Sequence, residues 1–177
     1  MKMMTMKNDR IAIISAVDDR YGIGKNGEIP WHYKADFQFF KTMTLNSVCI
    51  MGRTTYEEIA SKRKGKNSLL PKRECIVLSR NHSSSPLQGK AIKASNYEEA
   101  LNVWQESFPQ KPLFILGGRS LYEEAIEKNA KEAYITEIPS TYRCNTFFPQ
   151  DLFQKYFNLH SSLKQNGLVF SKYTRSD

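Results

Sequence analysis

Two stretches of this chain carry one pattern, and that pattern narrows the fold more than anything else in it. Val48-Cys-Ile-Met-Gly-Arg-Thr-Thr55 and Leu113-Phe-Ile-Leu-Gly-Gly-Arg-Ser120 each run four apolar residues into glycine, then into arginine and a hydroxyl residue. A short apolar run that stops at glycine is a buried strand. A helix that starts straight after it leaves no room for a hairpin, so the next strand is reached by a crossover and lies parallel. The rest of the chain alternates in the same way. Residues 11–17, 47–51, 74–78, 112–116 and 132–138 are expected as strands. Helices are expected over 35–44, where apolar residues fall at 37, 40 and 43, and after Thr54-Thr-Tyr-Glu57, a capping box. Two more are expected, from a second capping box, Ser95-Asn-Tyr-Glu98, to about 107, and from Gly117-Gly118 to about 128. Asn166-Gly167, between strand-like runs 155–164 and 168–174, is a strong hairpin signal. The expected fold is α/β: a central, mainly parallel twisted sheet with an antiparallel C-terminal hairpin and helices on both faces.

The chain has 177 residues, enough for one domain with a substantial core. Its longest apolar run, Ile11-Ala-Ile-Ile-Ser-Ala-Val17, is strand-sized, far below the ~20 residues of a membrane span. Residues 1–10 are basic but lead into no cleavable apolar segment, so no secretory signal is expected. Residues 1–9 are expected to be a disordered extension, and 10–177 a single domain. Cys49, Cys75 and Cys144 are odd in number and widely spaced, which points to reduced thiols and a cytoplasmic protein. The net charge is +8, and its excess is confined: residues 61–93 hold nine basic side chains against Glu74 alone. Such a window suits nucleic acid, a phosphorylated cofactor, an acidic substrate, or a merely solvated loop.

In an open parallel sheet, ligands bind beyond the carboxyl ends of the strands. The two strand–glycine–helix junctions would sit there, each offering free amides and a helix dipole to phosphate. Together they would suit a dinucleotide, although a glycine after a strand is more often only a turn. Asp36 opens the apolar face of a helix, beside Phe37 and one turn before Phe40. Such a carboxylate is commonly a solvated first-turn residue. If it is partly buried instead, it needs a cationic partner or one with two donors, and a planar ligand with adjacent N–H groups would pair with it bidentately. His32, His82 and His160 have no neighbours at metal-ligand spacing, and no metal site is expected. The long glycine-punctuated segment 18–30 is expected to be functional.

Taken together these residues resemble the dihydrofolate reductase family over nearly the whole chain. The most specific stretch is Gly22-Ile-Gly-Lys-Asn-Gly-Glu-Ile-Pro-Trp-His-Tyr-Lys-Ala-Asp36. Ile50-Met-Gly-Arg-Thr-Thr55, Ile76-Val-Leu-Ser-Arg80, Leu116-Gly-Gly, Tyr134-Ile-Thr136 and Asn145-Thr-Phe-Phe-Pro149 follow in order. The resemblance implies hydride transfer from NADPH to C6 of 7,8-dihydrofolate, with protonation at N5. It implies catalytic roles for Asp36, which grips the pterin, for Trp31, which holds a water beside it, and for Thr136, whose hydroxyl bonds the carboxylate. Ile14 and Leu116 would meet the pterin through their carbonyls. Phe37, Phe40, Ile59 and Leu70 would wall the ligand, and Arg73, helped by Lys41, would take the glutamate carboxylate. The cofactor would lie on Ala16, Ile23, Gly24, Gly52, Arg53, Thr54, Thr55, Leu78, Ser79, Arg80, Gly117, Gly118, Arg119, Ser120, Leu121 and Tyr122, with segment 18–33 as a mobile lid.

The sequence departs from the family pattern at Tyr33-Lys34, where Leu-Pro is common, at Tyr56 in place of a usual tryptophan, and in a longer loop at 61–69. No fused thymidylate synthase is expected. The further expectations are a monomer, dihydrofolate as the small-molecule partner with antifolate inhibitors as candidate ligands, and no nucleic-acid or membrane partner. A pyrimidine reductase of riboflavin synthesis, which shares fold and cofactor, is disfavoured by the pairing of Pro30-Trp31 with Asp36. A basic nucleic-acid-binding protein is suggested only by the charge window.

Overall fold

A computed structural model describes residues 10–80 and 87–176. His82 and the expected extension 1–9 lie outside them. In chain order the elements are β1 (Ile11–Val17), β2 (Gly22–Gly24), α1 (Lys34–Thr44), β3 (Val48–Met51), α2 (Arg53–Ser61), β4 (Glu74–Leu78), β5 (Ile92–Ala94), α3 (Tyr97–Ser107) and β6 (Leu113–Ile115). Then come α4 (Arg119–Lys128), β7 (Glu132–Glu137), β8 (Thr146–Phe147), α5 (Gln150–Tyr156), β9 (Phe157–Gln165) and β10 (Leu168–Arg175).

Eight strands form one sheet in the order β5-β4-β3-β6-β1-β7-β10-β9. From β5 to β7 every pairing is parallel. β10 returns antiparallel on β7, and β9 closes the edge around the Asn166-Gly167 turn. The expected architecture is therefore present. Alternate side chains of β1 separate two cores. Ile11 and Ile13 pack with α3, α4 and α5; Ala12 and Ile14 pack with α1 and α2. The second face carries the candidate site: α1 bears Asp36 and Phe40, and α2 bears Ile59, beside Ile14 of β1 and Leu116 after β6.

The local differences have physical causes. The box at Thr54 does not cap: α2 begins at Arg53, with Gly52 as N-cap and no side-chain bond. Gly52 N–H donates to Gly117 O at 2.7 Å, which fixes the turn two residues earlier than the pattern suggests. In α3 the cap is Asn96, not Ser95; its Oδ1 accepts from Glu99 N at 2.8 Å. β2, β5 and β8 have two or three residues each, too few to show a period, and α5 takes residues expected at the start of the hairpin's first strand.

Candidate active site

Asp36 is held at its place by the start of α1: the Tyr33 carbonyl accepts from Asp36 N at 3.0 Å and Phe37 N at 3.2 Å. Its side chain is partly buried. Burial pushes the carboxyl pKa above the usual aspartate range, and a hydrogen bond with the Thr136 side chain opposes that shift without cancelling it. Thr136 is buried on β7, opposite Ala16 of β1. Trp31 is buried as well, packed edge-on against Tyr142 at 5.3 Å between ring centroids. Among the described residues its Nε1 is the one buried side-chain nitrogen or oxygen without a hydrogen-bond partner. A buried N–H of this kind calls for a polar partner supplied from outside the protein, such as a water.

The apolar residues of the candidate site, Phe37 aside, form one cluster. Phe40 and Ile59, half-buried, pack with buried Ile14, Leu70 and Leu116. Phe37 stands apart from that cluster and meets the ring of exposed His32 at 4.9 Å. Lys41 is exposed on α1. At the outer end Arg73 lies 5.8 Å above the Phe40 ring, with Nη1 donating to Thr44 Oγ1 at 3.1 Å and Nε to Pro71 O at 3.0 Å. Burial pulls its pKa down, and among the described residues no carboxylate forms an ion pair with it. A half-buried guanidinium without an internal anion suits the carboxylate of a ligand.

The Ile14 and Leu116 carbonyls have a tenant that the sequence did not suggest. The buried Tyr122 hydroxyl lies 2.9 Å from each, so its single proton is shared between the two acceptors. Tyr122 thus joins β1 and β6 beneath the cleft, and desolvation drives its phenol pKa upward, keeping it a neutral donor. A Cβ on Gly117, which has φ +107, would come within 3.0 Å of that ring, so the close approach requires glycine.

The second half of the site is a pair of uncapped helix N-termini. α2 starts at Gly52 and α4 at Gly118, neither with a side-chain cap, and the Gly52–Gly117 hydrogen bond ties the two turns side by side. The Gly117–Gly118 peptide is cis. Arg53 pairs with Glu57 at 3.2 Å, and Arg119 with Glu123 at 3.3 Å. These are exposed i,i+4 pairs, weak enough to yield to a phosphate. Thr54 and Ser120 are exposed, Thr55 half-buried and Leu121 buried. At the end of β4, half-buried Leu78 leads to Ser79, buried with its N–H on Ala94 O at 2.9 Å, and then to exposed Arg80.

The lid is more ordered than its three glycines suggest. Ile23 and Gly24 belong to β2, paired with β8. A Cβ on Gly22 would lie 2.5 Å from Cys144 Sγ, so that glycine serves close approach. The residues that hold the lid were missed in the sequence. Asp18, 3% exposed, accepts from Arg20 N and Gly22 N on one oxygen and from Tyr142 N on the other. Burial would raise its pKa, but these amides and the Cys144 thiol prevail and lower it. Asn145 N–H donates to Gly24 O, while its side chain accepts from Asn26 N and donates to Asn26 Oδ1. Glu58 of α2 accepts from Ile29 N at 2.7 Å. An acidic residue just before a glycine-rich loop was the one available signal, at Asp18.

A cavity of about 450 Å³ opens elsewhere, behind the lid root, among Arg20, Tyr21, Arg119, Phe147 and Lys155. Arg119 is the one sequence-predicted site residue in its wall. Among the described residues no group of three His, Cys, Asp or Glu side chains is gathered for a metal ion.

Fold and site define an α/β enzyme with a twin helix-terminus cradle for phosphates beside a carboxylate-headed apolar cleft. The sequence model of the dihydrofolate reductase family matches residues 10–174. Dihydrofolate reductase of Drosophila melanogaster is 32% identical over 148 residues, covering 79% of this chain and 79% of that protein. The Schistosoma mansoni enzyme is 34% identical over 151 residues, 80% of this chain and 78% of its own. Among solved structures, dihydrofolate reductase from Enterococcus faecalis, complexed with NADP(H) and RAB-propyl, superposes with a TM-score of 0.79 at 26% identity, over 96% of this chain and 98% of that one. The chain belongs to the dihydrofolate reductase family.

Proposed function

We infer that this chain reduces 7,8-dihydrofolate to 5,6,7,8-tetrahydrofolate with NADPH, and that the residue assignments above describe how. The observation that carries this reading is Asp36: a partly buried carboxylate with a raised pKa, one helical turn before Phe40, whose ring lies under the half-buried Arg73 guanidinium. That spacing of one anion, an apolar wall and one cation complements a flat ring with two adjacent N–H donors, an apolar middle and an anionic tail. NADPH, when bound, supplies the hydride. The uncapped turns at Gly52 and Gly118 would hold its pyrophosphate, and Ser79 and Arg80 its 2′-phosphate.

Asp36 accepts from the pterin N3–H and 2-amino group, with Thr136 hydrogen-bonded to the carboxylate. Negative charge there favours the protonated pterin, so a solvent proton can settle on N5 as C6 accepts the hydride. Trp31 Nε1 positions the water at Asp36. Tyr122 keeps the floor rigid by tying Ile14 to Leu116, and the lid excludes bulk water from the reacting carbons. The protein acts as a monomeric, cytoplasmic domain spanning residues 10–177, and antifolates compete for the Asp36 cleft. Neither the pyrimidine reductase nor the nucleic-acid-binding alternative is favoured by the relatives found. Loss of NADPH absorbance on adding dihydrofolate to the folded protein tests the proposal. A folded sample that consumes no NADPH overturns it.

A further inference from the structure

We propose that Glu58 is a positioning residue for hydride transfer, the link by which helix α2 fixes the closed end of the lid. This inference rests on the reductase reading above. The lid is tied down from two sides. Its root and middle are bound to segment 140–145 through Asp18 and Asn145. Its far end, just before Pro30-Trp31, is bound to α2 instead. Among the described residues the hydrogen bond from Ile29 N to Glu58 Oε2, 2.7 Å, is the one between lid and α2.

The bond is well sheltered: the Glu58 side chain is 11% exposed. Its other partner, Lys62 Nζ, reaches the same oxygen at 3.6 Å from the C-cap of α2 and is itself well exposed. An anionic acceptor on a backbone N–H makes a short, charge-assisted bond, stronger than a neutral one. A glutamate in the middle of a helix has no local need of a lid amide. A solvated glutamate paired with Lys62 would satisfy the helix equally well, so the bond serves the lid.

The placement matters because α2 contributes to more than one part of the candidate site. Its N-terminus is half of the phosphate cradle, Ile59 is in the cleft wall, and Glu58 lies between them. The lid tip is close to the same helix: a Cβ on Gly27 would be 3.8 Å from Thr54 Cγ2. A cofactor seated on α2 and a lid bonded to α2 therefore share one rigid frame.

Single-turnover NADPH oxidation and hydrogen–deuterium exchange of the peptide containing Ile29 are measured on the wild type and four variants. Glu58→Ala and the charge-retaining Glu58→Asp, whose shorter arm cannot reach Ile29, are expected to slow hydride transfer by about tenfold and to speed exchange at Ile29, since a charge-assisted bond is lost. Glu58→Gln keeps an acceptor and is expected to restore most of both. Lys62→Ala is expected to match the wild type. Melting temperatures report folding separately. If Glu58→Asp transfers hydride at the wild-type rate with unchanged exchange, or if Glu58→Gln fails as badly as Glu58→Ala, the proposal is wrong. A wild type that does not reduce dihydrofolate defeats the reductase reading instead, and the exchange comparison still decides whether Glu58 holds the lid.

Discussion

At the scale of single residues, two carboxylates are perturbed in opposite directions, and stability should show it. The Asp36 pKa is raised by burial, so the folded protein binds its proton more tightly than the unfolded chain does. Its contribution to stability therefore falls as pH rises from the ordinary aspartate range through the raised value. Asp18 is the reverse: its lowered pKa supports the fold at neutral pH, and that support is lost as the solution is acidified below the ordinary range. At neutral pH Asp36→Asn should melt higher than the wild type, and Asp18→Asn lower. Both differences should shrink toward acid pH, as thermal melts at several pH values would reveal. A costly Asp36 is the signature of a group kept for chemistry rather than for folding. The Asp36 position was legible in the sequence, since Pro30-Trp31 and a first-turn acid gave it a context. Asp18 and Glu58 were not, because their partners are backbone amides, and an amide leaves no mark in a sequence.

At the scale of elements, periodic segments were readable and short ones were not. The bounds of β4 and α4 and the C-terminal end of α3 fall where the pattern set them, while the start of α3 lies one residue later, at the Asn96 cap. β2 and β8 have three and two residues, and they exist because the lid packs on the segment near Cys144. The lid was expected to be permissive at three glycines, yet Tyr21 and Asn26 take positive φ there, and Gly22 is needed for contact. Gly22→Ala should therefore cost about 1–3 kcal/mol by overpacking against Cys144, and lower turnover as the lid shifts. Denaturant titration and steady-state rates measure the two effects. An alanine there with full stability would mean that the lid root is looser than the Asp18 clamp implies. Tyr33, a departure from the family pattern, also has a place: its hydroxyl lies 3.2 Å from that of Tyr142 and ties the start of α1 to the segment that holds the lid.

At the scale of the whole molecule, the +8 charge resolves into separate jobs. Arg73 and Arg80 stand at opposite ends of the proposed ligand path. Lys62 pairs with Glu58, and Arg63 donates through Nε and Nη2 to Ser68 O, bracing the long loop rather than facing solvent alone. Composition could not make that division; only the fold assigns partners. The carboxyl ends of the strands supply one edge for both proposed ligands: α1 brings the carboxylate, α2 and α4, packed on opposite faces of the sheet, bring the phosphate turns, and the lid spans them. Asp36, on the proposed reading, drives protonation of a dihydropterin held beside it. The most direct test is the pH dependence of single-turnover NADPH oxidation with dihydrofolate, wild type against Asp36→Asn. Asp36→Asn should bind NADPH normally, lose most of its rate at neutral pH, and recover part of it on acidification as the substrate itself becomes protonated. A variant with the wild-type rate at neutral pH, or with no response to acid, would contradict the account.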